Sequence, residues 1–277
     1  MLGAIIGDII GSRFEVLEAK KLQTYKDRLK ILNKEVPLIT EESSYTDDTV
    51  LTLAVAHAIK NEIPYEKALK EYGIKELELG KDKYGRNRFG SNFVKWLNGS
   101  FQGNSIGNGA AMRISPVGFL FDSYLEVVNN AYKATIPSHN SREAINASLA
   151  ISTSIYYLRN GSSKDQIKKY IEENYYNLDF NLEYLQRNYT FKATCNESVP
   201  EAIYCFLISE NFEDAMLKAL SIGGDSDTIC AIVGALSESF YGIDENLLKQ
   251  VKPFIPENYQ KQINEIYNNK KLIHKIP

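Results

Sequence analysis

Gly223-Gly224-Asp225-Ser226-Asp227-Thr228 opens the most apolar run of the chain, which extends from Ile229 to Phe240 and ends at Gly242. Apolar residues recur in this run with a helical period, so it predicts a buried helix. Two carboxylates and a hydroxyl stand at the start of that helix. Because carboxylate and hydroxyl oxygens are the ligands that hard cations prefer, the stretch indicates half of a metal site.

A second cluster of the same kind lies far away in the sequence. Tyr45-Thr46-Asp47-Asp48-Thr49 stands at the beginning of another apolar helical pattern, which runs from Thr46 to Lys60. A pair of Mg²⁺ or Mn²⁺ ions that share bridging carboxylates would need about this number of Asp residues. Helix capping is the alternative, because Asp, Ser and Thr satisfy free N–H groups in first turns. The clusters by themselves leave both interpretations open.

Composition places the chain among ordinary globular proteins. It has 277 residues, of which 44% are apolar and 24% charged, and its net charge is -3 with a pI near 5.8. A small negative net charge gives no overall electrostatic attraction for nucleic acid or for an anionic membrane, so we expect neither as a partner. No apolar run approaches the roughly 18 residues of a membrane span.

Cysteine usage and the N-terminal segment predict a cytoplasmic location. Cys195, Cys205 and Cys230 are odd in number and lack CxxC spacing, which argues against a disulfide framework or a structural zinc site. Met1 to Gly11 is apolar, but it has no basic region and is interrupted by Asp8, so we do not expect a signal peptide.

Almost every periodic segment of the chain has a helical period. No Asn-Gly pair stands between two alternating apolar strands, as a hairpin would require, so we predict an all-α orthogonal bundle that forms a single domain over residues 1–277. The first helix carries Gly3, Gly7 and Gly11 on one face. That smooth ridge allows close approach of either another helix or a ligand.

A Gly/Asn/Ser loop and a histidine are further candidates for ligand binding. The loop Gly103-Asn104-Ser105-Ile106-Gly107-Asn108-Gly109 would let backbone N–H groups converge on an anion, and Arg113 could add a phosphate contact. The alternative is a tight turn before a helix. We expect Pro137 to end one helix and His139 to stand at the start of the next, Arg142 to Arg159, as either a capping residue or a ligand contact.

Six motifs, in the order in which they occur along the chain, resemble those of the ADP-ribosylglycohydrolase family. The resemblance covers Met1 to about Ile243. Any one motif is a weak signal, but their order and the intact GGDSDT make chance similarity improbable. The motifs are GAIIGDIIGSRFE (3–15), YTDDT (45–49), GNGAAMRISPVG (107–118), SHNSREAINAS (138–148), SVPEAIYCFL (198–207) and SIGGDSDTICAIVGALSESFYG (221–242).

The resemblance implies an all-α fold with two Mg²⁺ or Mn²⁺ ions at the base of a cleft. The implied metal ligands are Thr46, Asp47, Asp48, Asp225, Asp227 and Thr228. The implied substrate-binding residues are Ser105, Gly107, Asn108 and His139, near the diphosphate and its ribose, and Gly90, near the distal ribose. The implied catalytic residues are Glu15, as an acid/base or gating residue, with Asp48 and Asp227.

One position departs from the family pattern. Ile106 stands where members often carry an aromatic residue that stacks on adenine, and Phe101 is the candidate to replace it.

The resemblance also implies a function. The chain is expected to hydrolyse the glycosidic bond between ADP-ribose and a protein side chain or small molecule, with the cations orienting the attacking water. We expect it to act as a monomer. The alternatives are a non-catalytic ADP-ribose-binding protein of the same fold and a metal-dependent phosphohydrolase that cleaves the diphosphate.

Overall fold

The computed structural model describes residues 1–15 and 24–269, and the regular elements in these two ranges are all helical. Two isolated β-bridges, Asn104 with His139 and Gly107 with Thr194, are the only β contacts there. The prediction of an all-α fold is confirmed. The helices are α1 Leu2–Arg13, α2 Tyr25–Leu32, α3 Asp47–Lys60, α4 Tyr65–Leu77, α5 Ser91–Leu97, α6 Gly109–Met112, α7 Ser115–Leu120, α8 Tyr124–His139, α9 Arg142–Arg159, α10 Lys164–Asn174, α11 Leu182–Asn188, α12 Val199–Leu207, α13 Phe212–Ile222, α14 Ser226–Tyr241, α15 Glu245–Val251 and α16 Glu257–Asn269, with 3₁₀ turns at Cys195–Glu197 and Lys252–Phe254.

The glycine ridge of α1 packs against another helix, α14. A Cβ atom added to Gly7 would lie only 1.9 Å from the carbonyl oxygen of Cys230, and one added to Gly3 would lie 2.2 Å from that of Gly234. Each glycine costs about 1 kcal/mol of helix propensity relative to Ala, and the close packing of two buried helices offsets that cost. The contact extends to Gly11, which lies beside the backbone of Asp227, so it sets α1 against the start of α14.

The helix after the first Asp cluster begins as predicted. Thr46 is the N-cap of α3, and all but a few residues of the helix are buried. The N-terminal turn of α3 faces the N-terminal turn of α14, since the Thr228 hydroxyl donates to Asp48 Oδ2 over 3.3 Å. Two clusters that are far apart in the sequence therefore meet where the two helices begin.

The predicted boundary at Pro137 is wrong. Helix α8 runs through Pro137 and ends at His139, so His139 lies at the end of one helix and not at the start of the next. Proline removes only one helical hydrogen bond in the last turn, and the loop around Gly103 holds that turn in place. The Asn140 N–H donates to the Gly103 carbonyl over 2.6 Å. Helix α9 covers the predicted range Arg142–Arg159.

All three cysteines are buried free thiols, in agreement with the prediction of no disulfide framework. Among the helices of the described residues, none has the length and apolar character needed to cross a bilayer.

Candidate functional site

The two Asp clusters form the base of a cleft of about 490 Å³. Two sets of carboxylates converge there. Oxygen atoms of Asp8, Asp48 and Asp227 lie within 4.8 Å of one another, and so do oxygen atoms of Glu15, Asp225 and Asp227. Asp227 belongs to both sets, as a carboxylate that bridges two neighbouring cations would.

The cleft brings together all the residues that the sequence analysis proposed for the site. They come from helices and loops spread between residues 15 and 228, and their roles remain predictions. The cleft is lined by Glu15, Thr46, Asp47, Asp48, Gly90, Ser105, Gly107, Asn108, His139, Asp225, Asp227 and Thr228.

Helix capping does not account for the acidic clusters. At α3 the capping oxygen is the Thr46 hydroxyl, which accepts from the Asp48 N–H over 3.3 Å. Asp225 is the N-cap residue of α14, yet its side chain accepts no capping hydrogen bond. Asp48 Oδ1 is buried and has no hydrogen-bond partner among the described residues. A buried carboxylate oxygen with no donor is a suitable ligand for a cation, so the cation interpretation is favoured.

Asp8 is a part of the site that the sequence left undecided. Its fully buried carboxylate accepts from the backbone N–H of Thr46 over 2.9 Å and from that of Thr49 over 3.1 Å. It also accepts from both threonine hydroxyls. Because Thr46 Oγ1 gives its proton to Asp8 and accepts from the Asp48 N–H, one of its lone pairs remains available to a cation. The signal in the sequence is a single acid within an otherwise apolar helix.

The electrostatics of the cluster favour a bound cation. Burial, together with the neighbouring Asp8 carboxylate, raises the pKa of Asp47 from 3.8 to about 8. Burial and the acids around them also raise the pKa of Asp48 and Asp227 well above the ordinary range. Carboxylates gathered in a low-dielectric site repel one another unless they bind protons or a cation. The arrangement is therefore suited to a divalent ion.

Arg86 is a site residue that sequence reasoning missed. Its guanidinium forms ion pairs with Glu15 and, over 2.9 Å, with Asp82. Arg86 thereby fixes the side chain of Glu15 at the edge of the acidic cluster. The loop of residues 80–90 is visibly rich in Lys and Arg, but composition cannot tell which of them faces the cleft.

The Gly/Asn/Ser loop is joined to the second Asp cluster. Asn108 Nδ2 donates to Asp225 Oδ2 over 2.7 Å, and the Asn108 N–H donates to the Ala193 carbonyl over 3.0 Å. Ser105 Oγ accepts from the Gly107 N–H over 3.1 Å. The loop is thus held rigidly beside the acidic base of the cleft.

His139 faces this loop from the end of α8. Burial lowers the pKa of its imidazole well below the ordinary value, with a further contribution from the charge of Arg113, so the ring is neutral. Arg113 is itself fully buried, and its Nη2 donates to Ser138 Oγ over 2.7 Å. The structure therefore gives Arg113 a protein partner in addition to its place in the cleft wall.

Two of the aromatic residues that line the cleft are candidates for stacking on adenine. Phe101, the candidate from the sequence, lines it, and so does Phe191, which the sequence analysis did not single out. Phe191 is 57% exposed although it is a large apolar residue. Ile106 is 47% exposed and does not belong to the described lining of the cleft.

Comparison with known proteins supports the resemblance. The family model described as ADP-ribosylglycohydrolase matches residues 1–274. The chain is similar to ADP-ribosylhydrolase ARH3 of Homo sapiens, at 23% identity over 94% of this chain and 87% of the relative. It is also similar to ADP-ribosylarginine hydrolase Tri1 of Pseudomonas putida, at 21% identity over 88% of this chain and 70% of the relative. A solved structure named ADP-ribosylglycohydrolase-related protein complex has the same fold, with a TM-score of 0.65, 18% identity and coverage of 98% of this chain and 93% of the other.

Proposed function

The chain belongs to the ADP-ribosylglycohydrolase family, and we propose that it is a divalent-metal-dependent hydrolase that cleaves the glycosidic bond between ADP-ribose and an attached group. The product is ADP-ribose, and the substrate is an ADP-ribosylated protein side chain or small molecule. The observation that carries this proposal is the meeting of two sets of carboxylates, which share the buried Asp227, in a single cleft.

The residues present fit a pair of Mg²⁺ or Mn²⁺ ions. Hard cations of this kind take carboxylate and hydroxyl oxygens, and Asp48 Oδ1, which has no hydrogen-bond partner in the described part of the chain, is such an oxygen. When bound, the cations would supply Lewis acidity and lower the pKa of a water molecule. The residues that would hold them are Thr46, Asp47, Asp48, Asp225, Asp227 and Thr228.

Glu15 is the proposed acid/base residue. It stands beside Asp225 and Asp227 but, unlike them, it is partly open to solvent. Its carboxylate can accept a proton from the attacking water and return it to the leaving group, while the ion pair with Arg86 keeps it in place. Attack at the anomeric carbon passes through an oxocarbenium-like state, which nearby carboxylates stabilise.

The remaining lining residues suit the rest of ADP-ribose. Ser105, Gly107 and Asn108, together with His139, would border the diphosphate and its ribose, and Gly90 would border the distal ribose. A Cβ atom added to Gly90 would meet no atom of the described structure within 4 Å, apart from those of its chain neighbours, so a sugar can approach the backbone on that side. Phe101 and Phe191 offer faces on which adenine could stack.

The attached group is the least defined part of the substrate. The name of Tri1 specifies ADP-ribosylarginine and that of ARH3 specifies only ADP-ribose, so arginine is the first linkage to test. A panel of substrates with ADP-ribose linked to arginine, serine, a base or a small molecule, assayed with Mg²⁺ and Mn²⁺, would identify it.

The Asp227→Ala variant tests the proposed chemistry directly. We expect it to abolish hydrolysis and to weaken Mn²⁺ binding in titration calorimetry, whereas loss of a helix cap would cost about 1 kcal/mol of stability and little activity. A wild-type protein that binds ADP-ribose without hydrolysing any substrate would support the non-catalytic alternative. Release of AMP in place of ADP-ribose would support a phosphohydrolase.

A further inference from the structure

Three buried side chains near the end of α8 form one hydrogen-bonded chain beside the cleft. Arg113 Nη2 donates to Ser138 Oγ over 2.7 Å, and Ser138 Oγ lies 2.8 Å from His139 Nδ1. The exposed fractions of the three residues are 0%, 2% and 6%. Because water has little access to these atoms, we expect the hydroxyl proton of Ser138 to have an acceptor within the protein.

The direction of the hydrogen bond between Ser138 and His139 follows from Arg113. A guanidinium can only donate, so Ser138 Oγ accepts from it. The Ser138 hydroxyl still has its own proton to place, and within residues 1–15 and 24–269 the acceptor it is found to contact is His139 Nδ1. Ser138 therefore donates to Nδ1, and the proton of the neutral ring is on Nε2.

The protonated Nε2 faces the Gly/Asn/Ser loop. A Cβ atom added to Gly109 would lie 3.3 Å from His139 Nε2, and one added to Gly107 would lie 3.8 Å from it. Both glycines and His139 line the cleft, so Nε2 lies where the loop borders the cleft.

We propose that Arg113 and Ser138 are positioning residues that lock His139 in the Nε2–H tautomer, so that His139 presents a neutral donor to an anionic oxygen held by the loop of residues 105–109. The other tautomer would present a lone pair to that oxygen and repel it. The identity of the ligand, the diphosphate of ADP-ribose, rests on the proposed function. The assignment of the His139 tautomer is independent of the proposed function.

Nitrogen NMR of the ligand-free wild-type protein tests the tautomer. The sequence contains three histidines, so a protein labelled with ¹⁵N-histidine gives few signals, and those of His139 are identified by their loss in His139→Gln. Long-range ¹H–¹⁵N spectra should show a protonated Nε2 and an unprotonated Nδ1. A proton on Nδ1 of His139 would overturn the proposal.

Variants at Ser138 test the link between tautomer and binding. Ser138→Ala should shift His139 toward the Nδ1–H form and raise the Kd for ADP-ribose about tenfold, the effect of one hydrogen bond. Ser138→Thr keeps the hydroxyl and should retain the wild-type tautomer of His139 and the wild-type Kd for ADP-ribose. The matched control is Ser148→Ala, which removes a buried hydroxyl that has no partner in the described structure and should change neither.

The outcomes separate this inference from the proposed function. An unchanged tautomer or an unchanged Kd in folded Ser138→Ala would refute the positioning role. If that variant does not fold, the wild-type spectrum and the Ser138→Thr measurements still decide. Wild-type protein that fails to bind ADP-ribose would contradict the proposed function, while the spectra would still report the tautomer.

Discussion

The carboxylate of Asp8 on α1 caps the start of α3, because it accepts hydrogen bonds from both the backbone N–H of Thr46, over 2.9 Å, and the Thr46 hydroxyl, over 2.8 Å. It also accepts from the N–H of Thr49. The two backbone donors are thus the N–H groups of Thr46 and Thr49. In an ordinary capping box, side chains of the helix itself accept from the N–H groups at these two positions. Here an acid from another helix satisfies both, which leaves the side chains of α3 free to face the cleft.

We expect Asp8→Asn to weaken the metal site without removing it. The nitrogen of the new side-chain amide would face the N–H donors of Thr46 and Thr49. The free energy of unfolding in urea should therefore fall by about 2 kcal/mol. Loss of support behind a ligand typically costs about 10- to 100-fold in metal affinity, which Mn²⁺ calorimetry would measure. Asp179→Asn, an exposed substitution of the same kind, is the control. If Asp8→Asn abolished Mn²⁺ binding as fully as Asp227→Ala, Asp8 would itself be a ligand.

The stability of metal-free protein should fall as the pH rises. The pKa of Asp47 is raised from 3.8 to about 8 in the folded state, so folding favours its protonated form. The folded protein therefore loses stability from about pH 4, where the unfolded chain begins to ionise, until about pH 8. Calorimetric Tm values of EDTA-treated protein should decrease over this window, and Mn²⁺ should reverse the decrease.

Asp47→Asn is the control for this pH dependence, since it removes a titrating group and should make the decrease in Tm shallower. A Tm of metal-free wild-type protein that stays constant or rises between pH 4 and pH 8 would contradict the electrostatic description of the cluster.

Glu15→Gln separates proton transfer from binding. The amide keeps the size of the side chain but cannot accept a proton, so kcat should fall about 10²- to 10⁴-fold. The affinities for Mn²⁺ and ADP-ribose should change little. Glu213→Gln provides a matched control, because Glu213 also pairs with a cation, Lys34, but on an exposed surface. A wild-type kcat in Glu15→Gln would exclude the base role, and a change confined to binding would indicate a gating residue.

Phe191→Ala should weaken the binding of adenine. Stacking of a base on an aromatic ring contributes about 1–3 kcal/mol, so the Kd for ADP-ribose should rise roughly tenfold or more, whereas the Kd for ribose 5-phosphate should not. Ile106→Ala should have little effect, since Ile106 does not line the described cleft. Larger losses in Ile106→Ala or Phe101→Ala than in Phe191→Ala would assign the stacking surface to those residues.

Local pattern was sufficient for most of the fold. The helical period predicted α3 almost to the residue, and the range of α9 was predicted in full. The boundary at Pro137 failed because a proline near the end of a helix removes only one bond, and contacts from the loop at Gly103 stabilise the final turn. Such contacts between distant segments leave no trace in a local window.

The sequence by itself determined the helices, the two Asp clusters and the glycine ridge, because each depends on residues within a few positions of one another. Only the tertiary structure decided that Asp8 supports Thr46, that Arg86 holds Glu15 and that Phe191 faces the cleft. It also showed that a buried oxygen of Asp48 has no hydrogen-bond partner within residues 1–15 and 24–269. These relationships arise where the packing of α1 against α14 brings distant segments together, and periodicity specifies which face of a helix is buried but not which neighbour covers it.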